Sequence, residues 1–356
     1  MKRRSLSSLA LIGTAFAGIL SLASCQTDTG KTPVNPIEDV PTLSPKSETA
    51  VLLVTFGSTY PGPKVTFNRE KEFFKKKFPD ADLYFSFTSK TIINRMHAKG
   101  EDFLAPPLYM KAMLNAKYKN VYVQSLHVIP GEEFTLLEDY YVKKIYNVPL
   151  IDMSKEELAG RHKAVCGAPL LNDTESIKRV AKILADDYAK ELEKGDAVVF
   201  VGHGNPEVRF IYANMKYVEL EKELKAYAKA KYGSSNIFVG TVEGMIEDEN
   251  RKPTEMAFDY VYDQIKGLTK KPGKIHLQIL MSIAGDHANN DMAGTATEED
   301  GQPLDIDEQS WLNQFKAKGY DAAARQPLKA LGDYPEILQI WYEHLQEAIN
   351  HRDKAE

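Results

Sequence analysis

The stretch Ala197-Val-Val-Phe-Val-Gly-His-Gly204 decides the fold, because it repeats Ala50-Val-Leu-Leu-Val-Thr-Phe-Gly57. Both are apolar runs that break into a glycine turn, the pattern of a strand covered on both faces of a parallel sheet. Two further runs recur in the same order: Leu83-Tyr-Phe-Ser-Phe-Thr88 matches Ile237-Phe-Val-Gly-Thr-Val242, and Val121-Tyr-Val-Gln124 matches Ile275-His-Leu-Gln278. These last two pairs share one offset, so a single small insertion separates otherwise parallel halves. Between the runs lie helical spacings: Phe67, Phe74 and Phe78 in the first half, Met256, Tyr260 and Ile265 in the second. Ile177, Val180, Leu184, Tyr188 and Leu192 form a further stripe that stops at Gly195, a C-cap signal. Pro106-Pro107 and Pro253 sit where a helix begins. The order βαβαβ, written twice, predicts an α/β fold of two parallel-sheet halves, residues 50–172 and 173–350, with right-handed crossovers. A pseudo-twofold internal repeat relates them, and ligands are expected at the carboxyl ends of the strands, in the cleft between the halves.

The repeat aligns the third-strand ends without a gap. Gln124-Ser-Leu-His-Val-Ile-Pro-Gly-Glu-Glu133 overlies Gln278-Ile-Leu-Met-Ser-Ile-Ala-Gly-Asp-His287, so Glu133 corresponds to His287. His203 and His287 both stand where a strand breaks into a turn, and Glu243 follows the second strand of the second half. Neighbouring strand ends lie about 5 Å apart, which lets these three side chains converge on one ion. Two imidazoles and a carboxylate suit a borderline divalent metal, Co²⁺, Fe²⁺, Ni²⁺ or Zn²⁺, over Mg²⁺ or Ca²⁺. The plainer alternative is that both histidines satisfy local backbone groups. His127 lies inside an apolar run and reads as either a packed imidazole or a ligand; His97 reads as a solvated helix residue or an accessory haem ligand.

Composition narrows the class. Lys+Arg 45 against Asp+Glu 50, a formal charge of −5, shows no basic excess and argues against nucleic acid. Lys2-Arg3-Arg4, an apolar stretch through Leu20 and then Leu22-Ala-Ser-Cys25 predict a secretion signal over residues 1–25. Its end resembles a bacterial lipobox, with Cys25 as the lipidated residue; the alternative is a soluble export signal with Cys25 incidental. Residues 26–49, with Pro33, Pro36, Pro41 and Pro45 among polar residues, read as a flexible tether. The chain is then an exported, membrane-anchored lipoprotein of the periplasm or outer membrane. With Cys25 assigned to lipid, only Cys166 remains and an intrachain disulfide is excluded. After Cys25, no apolar run reaches the roughly 20 residues that span a bilayer.

Taken together, Val54-Thr-Phe-Gly-Ser-Thr-Tyr60, Phe87-Thr-Ser-Lys-Thr-Ile-Ile93, Gln124 to Glu133, Gly202-His-Gly204, Val242-Glu-Gly244, Gly285-Asp-His-Ala-Asn-Asn-Asp-Met292 and Ser310-Trp311 resemble, in order, the anaerobic cobalt chelatases, the sirohydrochlorin cobaltochelatases. The resemblance implies a class II chelatase fold of two Rossmann-like, chelatase-like halves. It implies that His203, Glu243 and His287 hold the divalent metal, with His203, His287 and Glu133 as catalytic residues. Phe56, Ser125, His127 and Glu133 are expected to meet the substrate.

The metal is expected as substrate, Co²⁺ first, with Fe²⁺ or Ni²⁺ as alternatives. No Gly-x-x-x-x-Gly-Lys phosphate loop occurs, so no nucleotide is expected. The expected partners are a tetrapyrrole, the membrane through the lipid anchor, haem-uptake or tetrapyrrole transport proteins, and a second copy of the chain. Three readings follow: an ATP-independent metal chelatase, a haem or porphyrin receptor or iron-removing dechelatase for haem uptake, and a metal-scavenging lipoprotein. Both histidines and Glu243 favour chemistry, since a haem binder needs only one or two axial ligands.

Overall fold

The computed structural model describes residues 39–147, 162–243, 256–294 and 310–355. The predicted signal, Cys25 and residues 26–38 of the predicted tether lie outside the described residues, as do Gly244 and Pro253. Lys46 and Ser47 donate their backbone N–H groups to Asp82 Oδ2 at 2.8 and 3.2 Å, which fixes the entry to the first strand.

The first half runs β1 (Thr49–Thr55), α1 (Pro63–Lys77), β2 (Asp82–Phe87), α2 (Lys90–Ala98), α3 (Pro106–Asn115), β3 (Asn120–Ser125), α4 (Glu132–Thr135) continuing as a π-helix over Leu136–Tyr146, and β4 (Val165–Gly167). The second runs α5 (Thr174–Asp187), α6 (Ala189–Lys194), β5 (Ala197–Gly202), α7 (Ile211–Tyr232), β6 (Ile237–Thr241), α8 (Phe258–Lys266), β7 (Ile275–Ile279), a π-helical turn over Ala288–Met292, α9 (Trp311–Ala317), β8 (Ala322–Ala324) and α10 (Pro335–Ala355). The sheets have orders β2-β1-β3-β4 and β6-β5-β7-β8, parallel throughout. Their registers repeat the sequence alignment: Val51 faces Leu83 as Val198 faces Ile237, and Ala50 faces Val121 as Ala197 faces Ile275. The doubled α/β fold of two Rossmann-like halves is therefore present strand for strand.

The central strands are the core. Ala50 to Val54 and Ala197 to Val201 are fully buried, and each such valine, leucine or phenylalanine contributes about 1.5–3 kcal/mol over its exposed state. Helix α5 starts on Asp173, whose side chain accepts the Ser176 N–H at 2.9 Å, satisfying an otherwise orphaned donor. The stripe Ile177, Val180, Leu184, Tyr188 and Leu192 is buried throughout, but the helix breaks at Tyr188 and resumes as α6 before the left-handed Gly195.

The structure departs from the sequence reading elsewhere too. Each sheet has a fourth strand, of three residues only, too short to leave a periodic signal. Met256 precedes α8 with φ at 69° and is buried, but Tyr260 is exposed, so of that spacing only Ile265 faces the core from within the helix. Phe78 is the C-cap of α1, beyond its last turn. Helix α10, assigned by sequence to the second half, packs on the first sheet. Trp341 Nε1 donates to the His127 carbonyl at 3.3 Å, and a Cβ on Gly167 of β4 would lie 2.9 Å from Leu345 Cα. No helix among the described residues is long and apolar enough to cross a membrane.

Helix α1 buries Glu70 completely, with neither carboxyl oxygen hydrogen-bonded. Burial, and secondarily the charge of Asp333, hold its pKa well above the usual carboxylate value. The native protein therefore keeps a proton that the unfolded chain releases above about pH 4.5. Stability from this group is present below that pH and is lost as pH rises towards the native value. Glu70→Met is expected to remove this slope and to stabilise the protein at pH 8 by about 1–3 kcal/mol, the cost of an unpaired buried polar group. Thermal unfolding at pH 5 and pH 8 checks it, and an unchanged difference between the two pH values in the variant refutes it.

Candidate metal centre

His203 follows the last residue of β5, and its neighbours explain the two flanking glycines. A Cβ on Gly202 would lie 2.8 Å from the Tyr217 ring, and Gly204 sits at φ +85°, a region glycine enters without strain. The side chain of Asn214 on α7 then grips the turn. Asn205 N–H donates to Asn214 Oδ1 at 2.9 Å and Asn214 Nδ2 donates to the Asn205 carbonyl at 2.8 Å. Glu243 is placed by the second sheet, its N–H donating to the His203 carbonyl at 2.9 Å. His287 opens the π-helical turn after β7.

These three side chains converge: the ligand atoms of His203, Glu243 and His287 all lie within 4.8 Å of one another, each residue half-buried. The imidazoles meet edge to face, with His203 Nε2 3.1 Å from His287 Nε2. Each ring uses its other nitrogen locally. His203 Nδ1 lies 2.7 Å from the Gly204 carbonyl, and His287 Nδ1 lies 2.6 Å from Asp291 Oδ2. Both acceptors require an N–H at Nδ1, so in the neutral rings both Nε2 lone pairs face each other. That arrangement is repulsive unless a proton or a cation lies between them. Two metal–nitrogen bonds of about 2.0–2.1 Å, roughly 90–110° apart, place the nitrogens about 2.8–3.4 Å from each other, and the observed 3.1 Å falls inside that range.

The electrostatics agree. Burial lowers the His203 pKa, and the neighbouring His287 lowers it further. Burial also pushes His287 down, but the Asp291 hydrogen bond and charge, with Glu243 and Asp286, more than offset this and leave it above the ordinary imidazole value. One proton shared between the rings, resident on His287, accounts for both directions. A divalent cation can take its place.

The remaining predicted residues divide. Phe56 is exposed, with its ring centroid 6.4 Å from that of His203, on the first half's side of the cleft. Glu133, in the first turn of α4, is half-buried, and burial raises its pKa; it does not join the three-residue cluster. Ser125 is fully buried and His127 nearly so, with His127 Nδ1 hydrogen-bonded to Ser125 Oγ at 2.8 Å. Burial lowers the His127 pKa to about 4. These two form a buried hydrogen-bonded pair, not the exposed substrate surface expected of them. His97 pairs with Asp102 at 2.6 Å on the exposed surface, the solvated reading. Sequence reasoning passed over Asp291, although its position four residues after His287 was a readable signal, and Asn214, which no spacing marks.

The profile of the family described as Cobalt chelatase (CbiK) matches residues 49–350. The chain is 29% identical over 305 residues to the sirohydrochlorin cobaltochelatase of Salmonella typhimurium, covering 85% of this chain and 96% of that protein. It is 26% identical over 310 residues to the sirohydrochlorin cobaltochelatase CbiKC of Nitratidesulfovibrio vulgaris, covering 87% and 93%. Among solved structures, SirB from Bacillus subtilis with Fe³⁺ superposes with a TM-score of 0.51 at 12% identity, over 85% of this chain and 96% of that one. That superposition speaks for the fold alone.

Proposed function

Since the chain belongs to the cobalt chelatase family, we propose that it inserts Co²⁺ into sirohydrochlorin or a closely related tetrapyrrole, with no nucleotide consumed. The observation that carries this reading is the pair of Nε2 lone pairs 3.1 Å apart beside Glu243. The relatives named as sirohydrochlorin cobaltochelatases support the choice of metal and macrocycle.

Insertion requires the ion to lose water and two pyrrole N–H protons to leave. His203 and His287 exchange their shared proton for the ion, and Glu243 offsets its charge. Once the ion passes to the macrocycle nitrogens, the freed Nε2 atoms can accept the departing protons, since an ordinary imidazole titrates near neutral pH. Asp291 holds His287 in the ligating tautomer throughout.

The proposal extends to location: an exported lipoprotein held through Cys25, supported by the charged, apolar and small-residue pattern of Met1 to Cys25. The same pattern motivates a second reading, a haem or porphyrin receptor or dechelatase. Side-by-side absorbance assays separate the two. The expected result is Co²⁺-dependent conversion of sirohydrochlorin without ATP, while tight haem binding with no metal exchange in either direction decides for the receptor. Loss of labelled fatty acid in Cys25→Ala tests the anchor.

A further inference from the structure

The gapless overlay of the third-strand ends equates Glu132 with Asp286, the residues immediately before Glu133 and His287. Each of these two carboxylates is held by an arginine from the opposite half. Arg95 of α2 lies 3.6 Å from Asp286, and Arg209, just before α7, lies 3.1 Å from Glu132. The cleft is thus bridged by two ion pairs whose carboxylates occupy equivalent positions in the repeat, one beside the metal triad and one beside Glu133. Arg209 has a second partner within its own half, Glu207 at 2.5 Å, and lies 4.9 Å from the Phe210 ring centroid. Tyr60 adds a third crossing contact, its hydroxyl donating to Asn290 Oδ1 at 3.1 Å.

Both pairs bridge the two halves beside the site, so a macrocycle entering between them meets both. Exposed ion pairs contribute little to stability and are weakened by salt, and both arginines are well exposed, at 43% and 57%. Each released guanidinium presents a planar fork that matches a carboxylate in a bidentate geometry. Sirohydrochlorin carries acetate and propionate groups around its rim. We infer that Arg95 and Arg209 are the carboxylate-binding residues for the tetrapyrrole, and that Asp286 and Glu132 occupy them until the substrate's own carboxylates replace them. The exchange conserves the number of ion pairs at these two positions, and one arginine on each half grips the ring. This inference rests on the tetrapyrrole reading of the site.

The test is a titration of the intact mature protein with metal-free sirohydrochlorin, followed by initial rates with Co²⁺. Arg95→Gln and Arg209→Gln are each expected to raise Kd and KM for sirohydrochlorin roughly five- to tenfold, with KM for Co²⁺ unchanged. Glu132→Gln and Asp286→Asn, which free the arginines, are expected to tighten metal-free binding. A merely structural clasp predicts the reverse for these two. Deuteroporphyrin, with two carboxylates, is expected to be less sensitive to the arginine changes. Unaltered binding in both arginine variants, or weakened binding in both carboxylate variants, overturns the inference while leaving the chelatase reading in place. A wild-type protein that binds no tetrapyrrole removes both.

Discussion

His203→Ala and His287→Ala are each expected to lower Co²⁺ insertion by about a thousandfold or more, with the fold intact. The two imidazoles act as one unit: their Nε2 atoms face each other at 3.1 Å and share a single exchangeable position with the Glu243 carboxylate. Removing either leaves one imidazole and one carboxylate, too few donors to strip water from the ion and hold it against the macrocycle. It also removes one of the two nearby proton acceptors. Groups that act together lose nearly everything when the first is removed, so the double variant should be scarcely worse than either single one. Both side chains are only half-buried, so unfolding temperatures should move little. The measurement is single-turnover insertion with circular dichroism alongside. Single variants that retain a tenth of the activity, or losses that multiply in the double variant, would remove the triad from the chemistry.

Much of this centre was legible because a parallel sheet writes itself as contiguous apolar runs. Ala50 to Val54 and Ala197 to Val201 are buried on both faces, and the chain leaves the sheet where such runs stop: His203 follows β5 directly, and His287 stands in the turn that follows β7. What failed to show was orientation beyond the strand ends. Ser125 and His127 follow the same alternation as a ligand pair would, and only their burial and mutual hydrogen bond in the folded chain show that they pack inside it. The three-residue β4 and β8 are set by pairing to a neighbour, not by their own composition. The break at Tyr188 is likewise tertiary, since its ring lies edge-on to Phe200 and its hydroxyl donates to Gln278 Oε1 at 2.9 Å. Contacts across the cleft, such as Arg209 with Glu132, join residues 77 positions apart, and no local period encodes them.

Co²⁺ affinity should fall about tenfold per pH unit as the pH drops through the raised pKa of His287. The sign follows from the shared position. His287 lies above the ordinary imidazole value of 6.5, largely through Asp291 working against burial, so a proton competes with the ion there. His203 lies below that value and adds no second proton until more acid pH. In the metal-free protein the linkage runs the other way. The His287–Asp291 pair stabilises the fold below about pH 6.5, the unfolded value, and this contribution is lost as pH rises through the native value. Metal-free stability should therefore decline across the same interval in which metal affinity grows. Asp291→Asn separates the two effects. Without the carboxylate, His287 titrates lower, so the acid limb of the affinity curve moves to lower pH. The plateau at high pH weakens about 10–100-fold, because the ring loses its orienting acceptor and some basicity. The deficit of the variant must then shrink as the pH falls, since the wild type is already losing affinity to protons that the variant no longer binds as tightly. Calorimetric titration of Co²⁺ between pH 5.5 and 8.5 reads this directly. Parallel curves for the two proteins would show that Asp291 does not set the protonation of His287, and that the ion and the proton do not contend for the space between the two rings.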